Sequence, residues 1–542
     1  MSTPARGHLL SVSTLAPWLL LAAPASADTL TVPGSAPTIQ AAIALAASGD
    51  TILVAPGTWH ESIDDLGKRL VIEGTGGSAV TTIDAGGAAT AVTIHAGGTG
   101  SSLHGFTITG GAGQAVLTTG GGTLFGGGGV LAQPGSQLVL SECVIAGNSM
   151  VSALPTAGGG VLVNGATVSL ADCTLSGNAA ARGAAVCSTS ITDVVTLSGC
   201  TVSGNTAGPQ VFDAAVDLSG SSGSVLNCVI VDNAGTGLRP GVGPFSACTF
   251  AGNSRWGLRR ESAAGSTLTH CQFLGNGLGG ASLAVPIAAS TGHSIDHCIF
   301  AKADKLHAEA NLGQVLIVNC TFDNAHAEAF FGSAVARNCI FRNTLAPITG
   351  SATPVTITYS DFPNAGAEPG NFDADPLWVN PAAQDYHLKI NSPCIDAGDP
   401  ASPLEADGSP ADMGAVPFFH AWVKLGGGVA GASGQSDLQG TGTLTGGLEV
   451  SLVLSLAPSN KATALVLGIA ELGVPFKGGT FWPAVGFVFL GLPTDAFGSL
   501  VLPLVWPSNL PPGFQVWAQF WWADLSAPQG YAASNGVRGT QP

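Results

Sequence analysis

The sequence predicts an all-β fold: a right-handed parallel β-helix solenoid with an N-terminal capping helix, followed by a small C-terminal β-sandwich. Three observations carry that expectation. A cysteine-led motif recurs through the middle of the chain, apolar residues sit two apart beside it, and Gly-rich punctuation separates the short strand-like runs.

Composition sets the bounds. The chain has 542 residues, with 77 Gly, 3 Met, 45% hydrophobic and only 9% charged residues. Low charge with ample apolar content excludes a disordered chain. Gly with Ser, Thr and Val points to many strands joined by tight corners. The length suits two domains rather than one. A formal net charge of −17 argues against nucleic acid as a partner, because phosphate binding needs a concentrated basic surface.

Residues 1–27 read as a signal peptide. Arg6 supplies a positive start, LAPWLLLAA (Leu15–Ala23) a short apolar stretch, and Ala25-Ser26-Ala27 a small-residue cleavage site. A membrane anchor is the alternative, but the apolar stretch is well short of the ~20 residues that span a bilayer. The expectation is a secreted or cell-surface protein with no transmembrane segment after signal removal.

Residues 28–417 form the expected solenoid. Ile39, Ala42, Ile43 and Ala46 fall on one helical face, so this segment should be an amphipathic helix covering the first coil. Open solenoid ends need such covers. The strand Thr51–Val54 and the turn Ala55-Pro56-Gly57 then lead into the coils.

The repeat reads CVIAGN from Cys143, CTLSGN from Cys173, CTVSGN from Cys200, CVIVDN from Cys228, CTFAGN from Cys248 and CQFLGN from Cys271. Decayed copies start at Cys298, Cys320 and Cys339. Upstream lies an apolar pair at spacing two, such as Leu138 with Leu140, whose side chains share one strand face. The step of three from pair to cysteine breaks the alternation, which a corner would absorb. Gly-punctuated runs, GGVLA at Gly128 and GGVLV at Gly159, supply a third strand. Three strands and their corners make one coil.

Coils stacked at about 4.8 Å turn equivalent residues into ladders. The nine cysteines from Cys143 to Cys339 form one, and the apolar residues two positions later another. Asn148, Asn178, Asn205, Asn233, Asn253 and Asn276 form a third at a corner. Phe106 and Ser360 continue the cysteine frame in either direction. Such spacing exceeds the ~3.5–4.5 Å between Cβ atoms in a disulfide, so these thiols are expected to be free and inert. Cys187 and Cys394 fall outside the ladder.

TIQAAIALAASGDTILVAPGTW (Thr38–Trp59) followed by the C-x-I-x-x-N coils resembles the pectin-lyase-like family of parallel β-helix proteins. SPCIDAGDP (Ser392–Pro400) and DMGAVP (Asp412–Pro417) resemble the closing segment of secreted bacterial β-helix proteins with a sorting-type C-terminus. The resemblance implies a distant kinship with polysaccharide-processing enzymes. None of the family's catalytic signatures occurs on these coils, so no catalytic residue is carried over.

From Phe418 to the end cysteine disappears and six of the 10 Trp occur. Val450, Leu452 and Leu454 alternate with Ser451, Val453 and Ser455, as in a half-buried strand. Residues 418–542 therefore read as the β-sandwich module.

Chemistry is harder to find. A β-eliminating lyase needs a basic residue to take a proton and a cation, commonly calcium, to neutralise a uronate carboxylate. Arg239, Arg255, Arg259 and Arg260 with Glu261 and Trp256 form the densest basic cluster. Arg239 and Arg259 each lie six residues after a ladder Asn, so they should stack outward, where two like charges call for an anion. A solvated, fanned-apart pair is the plainer alternative. The residue before each ladder cysteine should also face out, which makes His270 and His297 neighbours able to bind a metal or exchange a proton. Trp517 and Trp521, four apart, would share a face that suits sugar stacking if it is exposed. A strand buried on both faces is the competing expectation.

Three functional readings follow. The first is a non-catalytic scaffold or adhesin binding polysaccharide or another surface component. The second is a diverged polysaccharide lyase or glycoside hydrolase, with Ca2+ as cofactor in the lyase case and no cofactor otherwise. The third is a purely structural surface protein.

Overall fold

The computed structural model describes residues 27–97, 100–150, 152–210, 213–261, 267–284, 292–302, 304–309, 313–344 and 346–542. The expected signal peptide lies outside them apart from Ala27. Contacts divide the chain into two compact units. The first ends at Ala180 and takes up Ala185–Val195; the second comprises Ala181–Ala184 and Thr196–Pro542.

The first unit opens on the short helix Ile39–Leu45, which buries Ile39, Ala42 and Ile43. Thr38 caps it by accepting from Ala41 N, and the two Glu61 carboxylate oxygens accept from Ile39 N and Gln40 N. At the other end Lys68 Nζ donates to the carbonyls of Ile43, Ala44 and Ala46. Both sets of unsatisfied helix-end groups thereby find partners on the following coil.

The coils of this unit build three parallel sheets. One runs from Thr29–Val32 through Thr51–Val54, Val71–Gly74, Ser101–His104 and Gln137–Ser141 to Thr167–Ala171. The second runs through Val92–Ile94, Val130–Ala132 and Val161–Val163 to Val186–Ser188. The third runs through Thr81–Asp84, Thr107–Thr109 and Val144–Ala146 to Thr174–Ser176. An antiparallel hairpin, Gln114–Leu117 with Thr123–Gly126, joins Thr156–Ala157 in a separate small sheet. Its Val116 and Leu124 pack on the outward Leu131, Leu162 and Cys187, which explains a strand buried on both faces.

The second unit repeats the plan. Its first sheet includes His293–Asp296, Gln314–Val318 and Ser333–Arg337; its third includes Thr249–Ala251, Gln272–Leu274, Ile299–Ala301 and Thr321–Asp323. Inside, the rings of Phe250, Phe273, Phe300, Phe322 and Phe341 stack with centroids 4.7–5.1 Å apart. The fold is thus the right-handed parallel β-helix, the hand that parallel crossovers adopt.

Cys187 lies within the strand Val186–Ser188, whereas the nine ladder cysteines sit at corners, as Cys143 does between Gln137–Ser141 and Val144–Ala146. The residue before each is in the left-handed region, from Glu142 at φ 51 and Asp172 at φ 52 to Ala247 at φ 53 and Asn338 at φ 55. That corner leaves the carbonyl two residues before the cysteine facing the thiol. Cys143 Sγ donates to Ser141 O at 3.3 Å, Cys248 Sγ to Ser246 O at 3.2 Å and Cys320 Sγ to Val318 O at 3.1 Å. Ser360 takes the position in the last coil and its hydroxyl makes the equivalent bond to Thr358 O at 2.9 Å. The thiol is small enough for the interior, and its weak donor adds to a carbonyl that already accepts a backbone N–H from the neighbouring coil, as Ser141 O does from Gly105 N and Ser246 O from Asn227 N. All 11 cysteines are free and buried.

The asparagine ladder is continuous within each unit. Asn148 Nδ2 donates to Asn178 Oδ1, and Asn205, Asn233 and Asn253 each donate to the next, at 2.9–3.0 Å. Asn276 donates instead to Asp304 Oδ2 at 2.8 Å, and its backbone N–H to Asp304 Oδ1. Burial pushes the Asp304 carboxyl up to about 6, against the pull of those hydrogen bonds.

Beyond the last coil, the chain folds back over the outer side of the third sheet. Trp378, Tyr386, Leu388, Cys394 and Met413 bury Ile299, Ala301 and Ile340 there. The C-terminal strands follow as two larger antiparallel sheets and the two-stranded pair Glu471–Phe476 with Gly479–Pro483. One has the order Trp422–Gly426, Gly536–Thr540, Gln515–Ala523, Ala462–Gly468, Phe487–Pro493, and the other Asp437–Thr441, Glu449–Ser455, Leu500–Val505. Leu438, Leu452 and Leu454 meet Leu465, Phe520 and Trp522 between them. Among the described residues, no helix is long and apolar enough to cross a membrane.

Two outcomes follow. Alkylation of the denatured chain without reductant should modify all 11 cysteines; fewer would reveal disulfides that the corners do not allow. The folded Asp304 carboxyl titrates above its unfolded value of about 4, so its stabilising contribution is whole below that pH and is lost as pH rises through about 6. Asp304→Asn should therefore stabilise the protein above pH 6, by about 3 kcal/mol at most, and flatten the urea-unfolding profile between pH 4 and 6.

Candidate functional site

The outward side of the second sheet in the second unit carries the richest side-chain chemistry. Its strands are Ala214–Asp217, Thr236–Arg239, Trp256–Glu261, Gly279–Ala284, Lys305–Glu309 and His326–Phe330. Leu238, Leu258, Ala281, Leu306 and Ala327 are buried, so the alternate residues face out. Asp217 pairs with Arg239, and the match of Leu238 with Leu258 sets Arg239 beside Arg259. Arg259 pairs with Ser282, Ser282 with His307, and His307 with Glu328. One column of outward side chains thus rises through six coils.

Its lower end is not an unneutralised basic pair. Asp217 is fully buried, and its Oδ2 accepts from Arg239 Nη1 at 3.0 Å and from Arg182 Nη2 at 3.0 Å. Its Oδ1 accepts from Ser219 N and Oγ. The anion that Arg239 was expected to await is an aspartate one coil earlier, 22 residues upstream. Arg259 is half-buried in the column. Arg260 lies on the inward side of its strand, 8% exposed, with its guanidinium 5.8 Å from the Phe245 ring; it does not belong to the outward cluster. Glu261 ends the strand, and its side chain lies outside the described part of the structure.

The upper end brings together residues that sequence reading left scattered. Glu328 accepts from Lys305 Nζ at 3.1 Å and His307 Nδ1 at 3.1 Å, and His326 Nε2 is 3.5 Å away. Burial opposes ionisation of Glu328, but the His307 and Lys305 hydrogen bonds hold it below the ordinary carboxylate range. Aromatic rings flank this charge cluster. Trp256 lies 6.2 Å from the His307 ring with Lys305 Nζ 5.8 Å above it, and Phe330 lies 5.0 Å from His307 on the other side. All are half-exposed. Glu328 and Phe330 were missed, although counting strand register from His307 leads to both.

Calcium does not fit this face. At its upper end the described carboxylates are Glu328 and Glu309, both already bonded to His307, and at its lower end Asp217 is taken by Arg239 and Arg182; these fall short of the six to eight oxygens calcium takes. Among the described residues, three ligating atoms converge elsewhere: Asp64, Asp65 and His95 in the first unit, and Asp396, Asp412 and His420 in the second.

His270 and His297 stack, with ring centroids 4.9 Å apart and planes within 6°. His297 Nδ1 is 2.8 Å from Asp296 Oδ1, and Asn319 Nδ2 also donates to that oxygen. Burial and the neighbouring His297 hold His270 below its ordinary value. Asp296, His297, Asn319, Arg337, Glu405 and Asp412 line a cleft of about 420 Å³. Burial, with Asp412, Asp407 and Asp396 nearby, pushes the Glu405 carboxyl up to about 7. Glu405 carried no motif in the sequence; its setting is made only by the returning segment. Trp517 and Trp521 are 5% and 6% exposed, so neither ring is presented to a sugar; the strand is buried on both faces.

The comparisons with known proteins agree with the coil. The family described as "Right handed beta helix region" matches residues 72–244. No curated protein matches the chain. Among solved structures, pectate lyase Pel9A is similar at 12% identity and TM-score 0.33, covering 73% of this chain and 97% of its own. The A-module of mannuronan C-5 epimerase AlgE6 from Azotobacter vinelandii is similar at 12% identity and TM-score 0.32, covering 62% and 94%. The family 28 exopolygalacturonase of Yersinia enterocolitica is similar at 10% and 0.24, covering 62% and 79%. At such identities and TM-scores none of these likenesses carries an argument about activity.

Proposed function

We propose that the chain is a secreted or cell-surface β-helix scaffold that binds polysaccharide along the outward side of the second sheet without cleaving it. The observation that carries this reading is the Glu328 cluster between two half-exposed rings, Trp256 and Phe330. Flat aromatic surface beside fixed donors and acceptors suits stacked, hydrogen-bonded sugar rings. The same groups are poor acid–base catalysts: Glu328 is held ionised and engaged by Lys305, His307 and His326, whereas a general acid needs a raised pKa. A diverged hydrolase remains the second reading, favoured by the raised carboxyl of Glu405 in its polar cleft.

Affinity electrophoresis of the full chain through gels containing neutral or uronate polysaccharides tests the proposal. Retention by at least one polymer is expected, weakened about five- to tenfold by Trp256→Ala or Phe330→Ala, which corresponds to about 1 kcal/mol per ring. No new reducing ends or unsaturated products should appear, with or without calcium. Cleavage that Glu405→Gln abolishes would establish the hydrolase instead. Absence of retention on every polymer would leave a structural protein.

A further inference from the structure

Two neighbouring coils of the first unit bring unlike ligating groups to one corner. The strand Ile63–Asp64 pairs with Val92–Ile94, Asp64 lying opposite Thr93, and Asp65 and His95 each follow directly on their strand. His95 Nδ1 stands 3.2 Å from Asp64 Oδ1 and 3.2 Å from Asp65 Oδ1. A ring nitrogen carries at most one hydrogen, so it cannot donate to both oxygens. Each distance also exceeds the about 2.7–2.9 Å of a charge-assisted bond. Ligands held ~2.0–2.1 Å from a tetrahedral Zn2+, by contrast, stand on the order of 3.3 Å apart.

Asp65 supplies an independent sign. It is 2% exposed, and its Oδ1 accepts from His95 N at 2.9 Å and Gly67 N at 3.0 Å. Among the described residues no donor reaches its buried Oδ2. A buried carboxylate oxygen left without a partner is costly, and a cation on the carboxylate removes that cost. The cluster of Asp396, Asp412 and His420 differs, because both Asp412 oxygens already accept backbone N–H groups, from Asp396 and Phe418.

We propose that Asp64, Asp65 and His95 hold a divalent transition-metal ion, Zn2+ or a first-row neighbour. One imidazole nitrogen beside two carboxylates suits such an ion and falls short of the oxygen shell that Ca2+ or Mg2+ takes. Asp64 and His95 are 43% and 39% exposed, so the ion is reachable and its remaining coordination position faces water. The ion joins one coil to the next and pins the capping helix. Gln40 of that helix grips Asp64 through both backbone groups: its Nε2 donates to Asp64 O at 3.1 Å, and Asp64 N donates to its Oε1 at 2.7 Å.

Isothermal titration of Zn2+ into the full chain, freed of metal by chelator and near neutral pH, tests the assignment. A saturable micromolar site is expected, weakened at least tenfold by Asp64→Ala and by His95→Ala, and not displaced by a hundredfold excess of Mg2+. Both side chains are half-exposed, so folding should tolerate either change; if circular dichroism shows that one variant fails to fold, the other decides. With zinc at ten times its dissociation constant, amide exchange over Ile39–Leu45 should slow about tenfold in the parent and stay unchanged in the variants. No saturable site in the parent, displacement by magnesium, or exchange that bound zinc leaves unchanged would overturn the inference. Variants that bind like the parent would place the ion elsewhere and overturn it equally.

Discussion

Everything in this fold depends on a backbone corner held in the left-handed region one residue before each ladder cysteine. The corner recurs from Gly105 before Phe106 to Tyr359 before Ser360. It lets the middle strand of a coil end and the next begin without losing parallel pairing to the neighbouring coils. An L-residue adopts that conformation at a cost of roughly 1–2 kcal/mol, less for Asn and Asp and least for Gly. The backbone N–H of each corner residue offsets part of this cost by bonding the carbonyl of the next coil's corner, and the thiol adds a weak second donor to its own. The ladder that looks like a disulfide framework is a column of thiols, each closing its own turn.

Much of the fold was legible because its signals are local. Spacing-two apolar pairs, Gly-punctuated strands and the apolar face of Ile39, Ala42 and Ile43 could be read directly, and the buried alternation of Glu449–Ser455 follows its pattern of Val and Leu. The second corner was also visible in five coils, where Gly147, Gly177, Gly204, Gly252 and Gly275 occupy it at positive φ; Asp232, Lys302, Asn324 and Asn343 hold it elsewhere. The first corner was not, because Glu142, Ala247, His270 and His297 stand there beside Asp172, Gly199 and Asn227. Glu and Ala do not advertise the left-handed region, although His, Asn and Asp are enriched there. Their identity as outward residues was the visible part of the pattern; the strained backbone beneath it was not.

The site was less legible because it is made by register between coils. Asp217 reaches Arg239 across 22 residues, and Glu328 gathers Lys305, His307 and His326 from two strands. Variable coil lengths, set by insertions, hide that alignment from a motif search. Glu405 is hidden more deeply still, since its cleft exists only where the returning segment lies against the first sheet. Charge bookkeeping along the chain therefore misassigned the arginines, one of which points inward and another of which is already neutralised.

Position 247 tests the corner most directly, because the Ala247 side chain is exposed, its φ is 53°, and its backbone bond to Thr269 O survives substitution. Relief of left-handed strain predicts that Ala247→Gly raises the urea-unfolding midpoint and that Ala247→Val, whose branched side chain cannot adopt this region cheaply, lowers it. A valine variant as stable as the parent or the glycine variant would contradict the account.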